Sequence, residues 1–166
     1  MGQPPATIMK KILLLLLFVG LSASCTSDDD PILNASITLG TETYTMNSGN
    51  LYYGTSSITG LHTAEFMITQ GEGLPSLFIQ LNKPDDGQSL TGTYHFDREQ
   101  HQPDYVSATF SPSNDTYTVI QGTLDVEQLA ADRFRFAFHN SKGMSFNDSS
   151  MLELGGTVQG EFVVFE

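Results

Sequence analysis

Apolar residues in this chain recur with a period of two. Phe134, Phe136 and Phe138 alternate with Arg133, Arg135, Ala137 and His139. Ala64, Phe66 and Ile68 alternate with Thr63, Glu65, Met67 and Thr69, and Val106, Ala108 and Phe110 with Tyr105, Ser107 and Thr109. Tyr94 and Phe96 alternate with Thr93, His95 and Asp97. A period of two puts one set of side chains on a buried face and the other on a more polar face, as in a half-buried strand. Leu77 to Leu81 reads as a more buried strand. Thr116 to Val126 reads as a long one with a bulge or bend at Gly122. Phe162-Val163-Val164-Phe165 is apolar on both faces and is expected to be covered on both.

Turn formers punctuate these runs. They are Gly40-Thr41, Asn47 to Asn50, Gly71-Glu72-Gly73, Pro84 to Gly87, Ser111 to Asn114 and Asn140 to Gly143. Only Val126 to Asp132 has room for a helical turn, and it is too short to stand as a helix. The expectation is all-β, an antiparallel β-sandwich or flattened barrel of about 8–10 strands. Gly92-Thr93, Gly122-Thr123 and Gly156-Thr157 share a Gly-Thr step, but their spacings and flanking residues differ. They define no repeat; a glycine that lets the chain bend before a strand-forming threonine explains each.

The N-terminus breaks the alternation. Lys10 and Lys11 precede eight apolar residues, Ile12 to Val19, and small residues lead from Gly20 to Cys25. A charged start, a short apolar core and a small-residue cut site make a secretory signal. The core is too short for a bilayer, which needs about 20 apolar residues. Met9, directly before the lysines, is an alternative start. Leu21-Ser22-Ala23-Ser24-Cys25 resembles a bacterial lipobox, displaced by one residue because Ser22 holds the place where leucine is more usual. Cys25 is the sole cysteine, so it has no internal disulfide partner, and lipidation accounts for it. The organisation expected is a cleaved signal over 1–24, an acidic tether over 25–31 and one all-β domain over 32–166. A domain of that size buries about 68% of the surface it exposes unfolded, enough for a core without staples.

Charge narrows the partners. The chain carries a net charge of −12. Removing the leader takes away Lys10 and Lys11, leaving 5 basic against 19 acidic residues, or −14. Nucleic-acid binding requires a basic footprint that is missing here. Adhesion to anionic headgroups is disfavoured for the same reason. Two readings of the acidity remain, solubility and a cationic or calcium-bridged partner. Asp28-Asp29-Asp30 does not make a calcium loop, because consecutive carboxylates repel and have no loop to fold around an ion.

Candidate chemistry is sparse. None of His62, His95, His101 and His139 falls in a metal-binding spacing. The densest set is His95, Asp97, Glu99, His101 and Asp104, two imidazoles and three carboxylates in ten residues. His95 and Asp97 share a face if both lie on one strand. A solvated loop accounts for the same residues, and no metal site is assigned. There is no Gly-x-Ser-x-Gly elbow and no phosphate loop. A carboxylate pair of the glycosidase kind is set by spatial distance and is not legible in sequence. No catalytic residue and no cofactor site is assigned, and the chain is read as a non-enzyme. Tyr52-Tyr53, Tyr105 and Tyr117 are either a sugar-stacking platform or the rim of a core.

Two resemblances set the location. Ser27-Asp28-Asp29-Asp30, directly after Cys25, resembles the acidic tag that sends lipoproteins of Bacteroidetes-type bacteria to the cell surface; a plain tether is the other reading. The series Gly92-Thr93-Tyr94, Tyr105 to Ala108, Tyr117 to Asp125, Phe134-Arg135-Phe136 and Gly160-Glu161-Phe162 resembles small β-rich lipoproteins of the same bacteria. It departs from them at Gly122-Thr123-Leu124, where phenylalanine is usual. The resemblance implies an outer-membrane lipoprotein with an all-β body, and carries no activity. The expected function is a non-catalytic binding or interaction module, attached to the membrane through Cys25, with a glycan or protein partner. The alternatives are a lipocalin-like carrier of an apolar ligand, a structural envelope-assembly protein, and a periplasmic rather than surface position.

Overall fold

The computed structural model describes residues 33–71, 73–83 and 89–165. The leader, the lipobox with Cys25, the tether and the expected turn at Pro84 to Gly87 lie outside these residues. Eleven strands account for most of the rest. They are β1 (Asn34–Leu39), β2 (Glu42–Met46), β3 (Ser48–Thr55), β4 (His62–Gln70), β5 (Gly73–Asn82), β6 (Gly92–His95), β7 (Val106–Ser111), β8 (Tyr117–Gln128), β9 (Arg133–Ser145), β10 (Met151–Glu161) and β11 (Val163–Phe165). No helix occurs among the described residues.

All the strands belong to one sheet, in the order β11-β3-β4-β5-β7-β8-β9-β10-β1-β2, with β6 paired to β8. Every pairing between strands is antiparallel except β11 on β3. The sheet curls strongly into a half-barrel. The fold class is therefore all-β, with the interior closed by curling a single sheet.

The alternation read from the sequence sets the inner face. Phe66, Ile68, Leu77, Ile79, Leu81, Phe110, Phe134 and Phe136 are fully buried. Phe66 on β4 meets Phe134 and Phe136 on β9 at ring-centroid distances of 5.0 and 4.8 Å, edge to face. Phe162 joins them at 5.2 Å from Phe66. β4 and β9 are four neighbours apart along the sheet, so these rings meet across the curl and fill it. Edge-to-face pairs add about 0.5–1.5 kcal/mol each beyond the burial of their area.

The curl is aided by bulges. β8 slips register against β9 on both sides of Gln121, and β10 slips against β9 between Leu154 and Gly156. Gly122 and Gly156 stand there with φ of +100° and +125°. A bulge bends its strand and increases the local twist.

Four expectations are corrected. Asn140 to Gly143 is no turn but lies inside β9. It faces the Gly122 bulge, with Ser141 buried against it, so the small residues serve close packing rather than reversal. Ser48 to Asn50 begins β3, because β3 pairs there with Thr69, Ile68 and Met67 of β4. Val126 to Asp132 has no helical turn; β8 runs on to Gln128, and Leu129 and Ala130 both donate to the Arg133 carbonyl in a hairpin. Finally, Val163 to Phe165 is not covered on both faces. It forms an edge strand whose three side chains are exposed, while Phe162 alone turns into the core.

Candidate functional site

The outward positions of β4 and β5 carry the most organised polar surface. Thr63 pairs with Asn82, and Glu65 with Gln80, across the two strands. Paired side chains on one face have Cβ atoms about 4.5–5.5 Å apart, close enough for direct bonding. Gln80 Nε2 donates to Glu65 Oε1 at 3.0 Å, and Thr63 Oγ1 donates to the same oxygen at 3.4 Å. Glu65 Oε2 makes no hydrogen bond among the described residues.

Two loops wall this floor. One runs from Ser56 to Leu61 and is closed by the Ser56 amide donating to the Leu61 carbonyl at 2.8 Å. Ser56 Oγ also accepts from the amides of Ile58 and Thr59. The other leads from β6 to β7. Asn82 holds it, donating through Nδ2 to the carbonyls of Gln100 at 2.9 Å and Gln102 at 2.5 Å. The cleft between the walls measures about 230 Å³. Ser56, Thr59, Glu65, Gln80, Gln100 and Tyr105 are among the groups lining it. These are hydroxyls, amides, a single carboxylate and one phenol ring, and no cationic side chain among the described residues lines it. Gln102 Oε1, in the same loop, is buried with no hydrogen-bond partner among the described residues.

The floor continues sideways. Tyr52 on β3 pairs with Glu65, and Phe165 on β11 pairs with Tyr52. Their rings stack at 4.9 Å with planes 13° apart. Both stay open to solvent, at 40% and 44% exposure. One outward row therefore runs Phe165, Tyr52, Glu65, Gln80, from an aromatic pair to an acid–amide pair.

The outer face of β8, β9 and β10 differs. There His139 pairs with Asp125 at 3.0 Å, Arg135 with Glu127 at 2.9 Å, and Arg133 with Glu161 at 3.8 Å. Half-exposed pairs of this kind contribute about 0–1 kcal/mol. They are a solvated, self-satisfied surface with nothing aimed at a ligand.

The residues singled out in the sequence are dispersed. His95 ends β6 and Asp97 lies in the following turn, so they do not share a strand face. His95 instead lies 3.9 Å from Asp104, which Arg98 also approaches at 3.6 Å, and His101 lies 3.4 Å from Glu99. Among the described residues no group of three or more His, Cys, Asp or Glu is arranged to hold a metal ion. The four tyrosines also separate. Tyr53 points inward, packs on the core and takes Lys83 Nζ at 5.0 Å over its ring; burial raises its phenol pKa. Tyr117 packs on the core elsewhere. Tyr105 lines the cleft and Tyr52 borders it. Sequence reasoning missed Glu65, Gln80, Asn82 and Phe165. The one signal present was the alternation of Thr63, Glu65 and Thr69 with Ala64, Phe66 and Ile68; Leu77 to Leu81 reads only as a more buried strand and does not single out Gln80. Comparison of the chain with known protein families, with curated proteins and with solved structures finds no match.

Proposed function

We propose that this chain is a non-catalytic binding module of the bacterial cell envelope. In this reading it is held to the outer membrane through lipid on Cys25, displayed at the cell surface, and takes a polar, hydroxyl-rich ligand in the β4–β5 cleft. The observation that carries it is the set of uncharged donors and acceptors, with one carboxylate, that a floor on β4 and β5 and two loop walls turn toward one cleft. Such groups select a ligand by hydrogen-bond geometry, and most are preset by bonds to one another. The aromatic filling of the curl favours this reading over an interior carrier of an apolar ligand. Two or more acyl chains at Cys25 would give stable attachment, since one alone binds only marginally.

Three tests address its three parts. Protease shaving of intact cells, with lysed cells as control, is expected to digest the domain on intact cells; protection until lysis places it in the periplasm and sinks the surface assignment. Labelled palmitate is expected to enter the natural chain and not Cys25→Ala. Glycan arrays and pull-downs from intact envelopes that both come back empty would remove the binding function.

A further inference from the structure

Building on the cleft as a binding site, we infer that its ligand is an uncharged oligosaccharide, and that Tyr52 and Phe165 form a second subsite for the sugar ring next to the one in the cleft. Three observations carry this. The cleft, at about 230 Å³, is smaller than the roughly 300–1,000 Å³ pockets that enclose a drug-sized ligand. A chain of more than one ring must extend beyond it. On the β3 side the floor continues as an aromatic pair, with Glu65 and Gln80 in register with Tyr52 and Phe165 on the same outward row; on the other side Gln80 pairs with Ser107 of β7, which offers no ring to stack on. From Gln80 to Phe165 is three strand spacings, about 14 Å, longer than a single sugar ring. A sugar presents hydroxyls at its edge and an apolar C–H face. The row offers a hydrogen-bonding floor followed by two stacked, open aromatic rings, which match those two surfaces in turn.

Charge selects among polysaccharides. Glu65 is the charged side chain of the cleft, and the chain carries a net −12. An acidic polymer would bring like charge against both. A neutral one meets no such cost.

The role of β11 follows. This short edge strand pairs parallel to β3 and leaves all three side chains exposed. The last core side chain is Phe162, just before the strand. Continuing past Phe162 sets Phe165 against Tyr52, which turns a lone exposed ring into a two-ring shelf.

The test uses the full chain in detergent and neutral hexose and N-acetylhexosamine oligomers from monosaccharide to hexasaccharide, titrated by calorimetry. Affinity is expected to rise with length. Tyr52→Ala or Phe165→Ala should remove that rise, weakening the longer oligomers about three- to tenfold and leaving the monosaccharide unchanged. Phe165→Tyr should keep it. Gln80→Ala should weaken short and long ligands alike. Thermal melts of Tyr52→Ala and Phe165→Ala matching the natural chain establish that they fold. Affinity that does not depend on length, or that rises equally in the Ala variants, overturns the second subsite and leaves the cleft as the site. An acidic oligomer binding more tightly than its neutral counterpart overturns the choice of ligand. Failure of every oligomer to bind the natural chain overturns this inference and sends the cleft's function back to the envelope pull-downs.

Discussion

Gly156 on β10 lies so close to Ser36 on β1 that a Cβ built on it would stand 2.1 Å from the Ser36 carbonyl oxygen. Its φ of +125° is one that side-chain-bearing residues rarely adopt. Gly122 is confined in the same way, with a Cβ position 2.6 Å from the His139 carbonyl. Both residues sit at bulges, so the backbones of neighbouring strands close over the place where a side chain would project. Gly92, the third glycine followed by threonine, has nothing nearer than 3.8 Å. Gly156→Ala should therefore cost about 3 kcal/mol or more, combining backbone strain with a clash against main chain. Gly92→Ala should stay within about 1 kcal/mol. Urea unfolding of the full chain separates the two, and equal midpoints would show that the bulge geometry is not what demands glycine.

Asn82 connects the end of β5 to the loop wall of the cleft, and only 5% of its surface is exposed. Replacing it with alanine takes the side-chain donor from the Gln100 carbonyl and leaves the Gln102 carbonyl with the Tyr105 amide at 3.2 Å. The expected loss is about 1–3 kcal/mol of stability. The loop from Glu99 to Tyr105 should become the first site of limited proteolysis, and ligand affinity at the cleft should fall with it. An unchanged cleavage pattern in Asn82→Ala would show that the wall is held by other contacts.

Tyr94 gives the fold an alkaline limit. It is buried at the inner face, its hydroxyl donates to the Leu90 carbonyl at 3.0 Å, and burial pushes its pKa up to about 12. The unfolded chain ionises this phenol near the ordinary value of 10, whereas the folded chain keeps its proton. Between those values the native state holds more protons than the unfolded one, so stability falls as pH rises. The loss is on the order of 2 kcal/mol across the window and is absent below pH 10. Burial of Tyr53 acts in the same direction. Tyr94→Phe should flatten the decline in a series of thermal melts from neutral to strongly alkaline pH. At neutral pH it should give up only about 1 kcal/mol, the worth of one hydrogen bond. A decline of the same steepness in Tyr94→Phe would assign it to other groups.

The alternation at Phe134, Phe136 and Phe138, and at Ala64, Phe66 and Ile68, was legible because a strand's side-chain period is local. Each of these residues is buried as that pattern requires. The bend at Gly122 was legible for a similar reason: a glycine inside a strand run marks a backbone need rather than a side-chain one. The edge position of Val163 to Phe165 was not. Hydrophobicity reports a preference for burial, but whether a neighbour arrives to cover the strand depends on the order of the sheet. Asn140 to Gly143 misled in the opposite sense. Residues that suit a turn also suit the close approach of two bulged strands, and only the β8–β9 register separates the two cases.

The all-β class and the strands that build the inner face were legible in the chain because a strand's side-chain period is short-range, whereas export and a lipid on Cys25 stay an expectation drawn from the apolar leader and the likeness of Leu21 to Cys25 to a lipobox. Tertiary structure alone decided that Phe66 meets Phe134 and Phe136 across the curl, that Asn82 reaches the loop before β7, and that Phe165 stacks on Tyr52 beside Glu65 and Gln80. Those contacts join residues from 13 to more than 100 positions apart. They are set by strand order and register, and no local property of any one segment specifies which partner it will face.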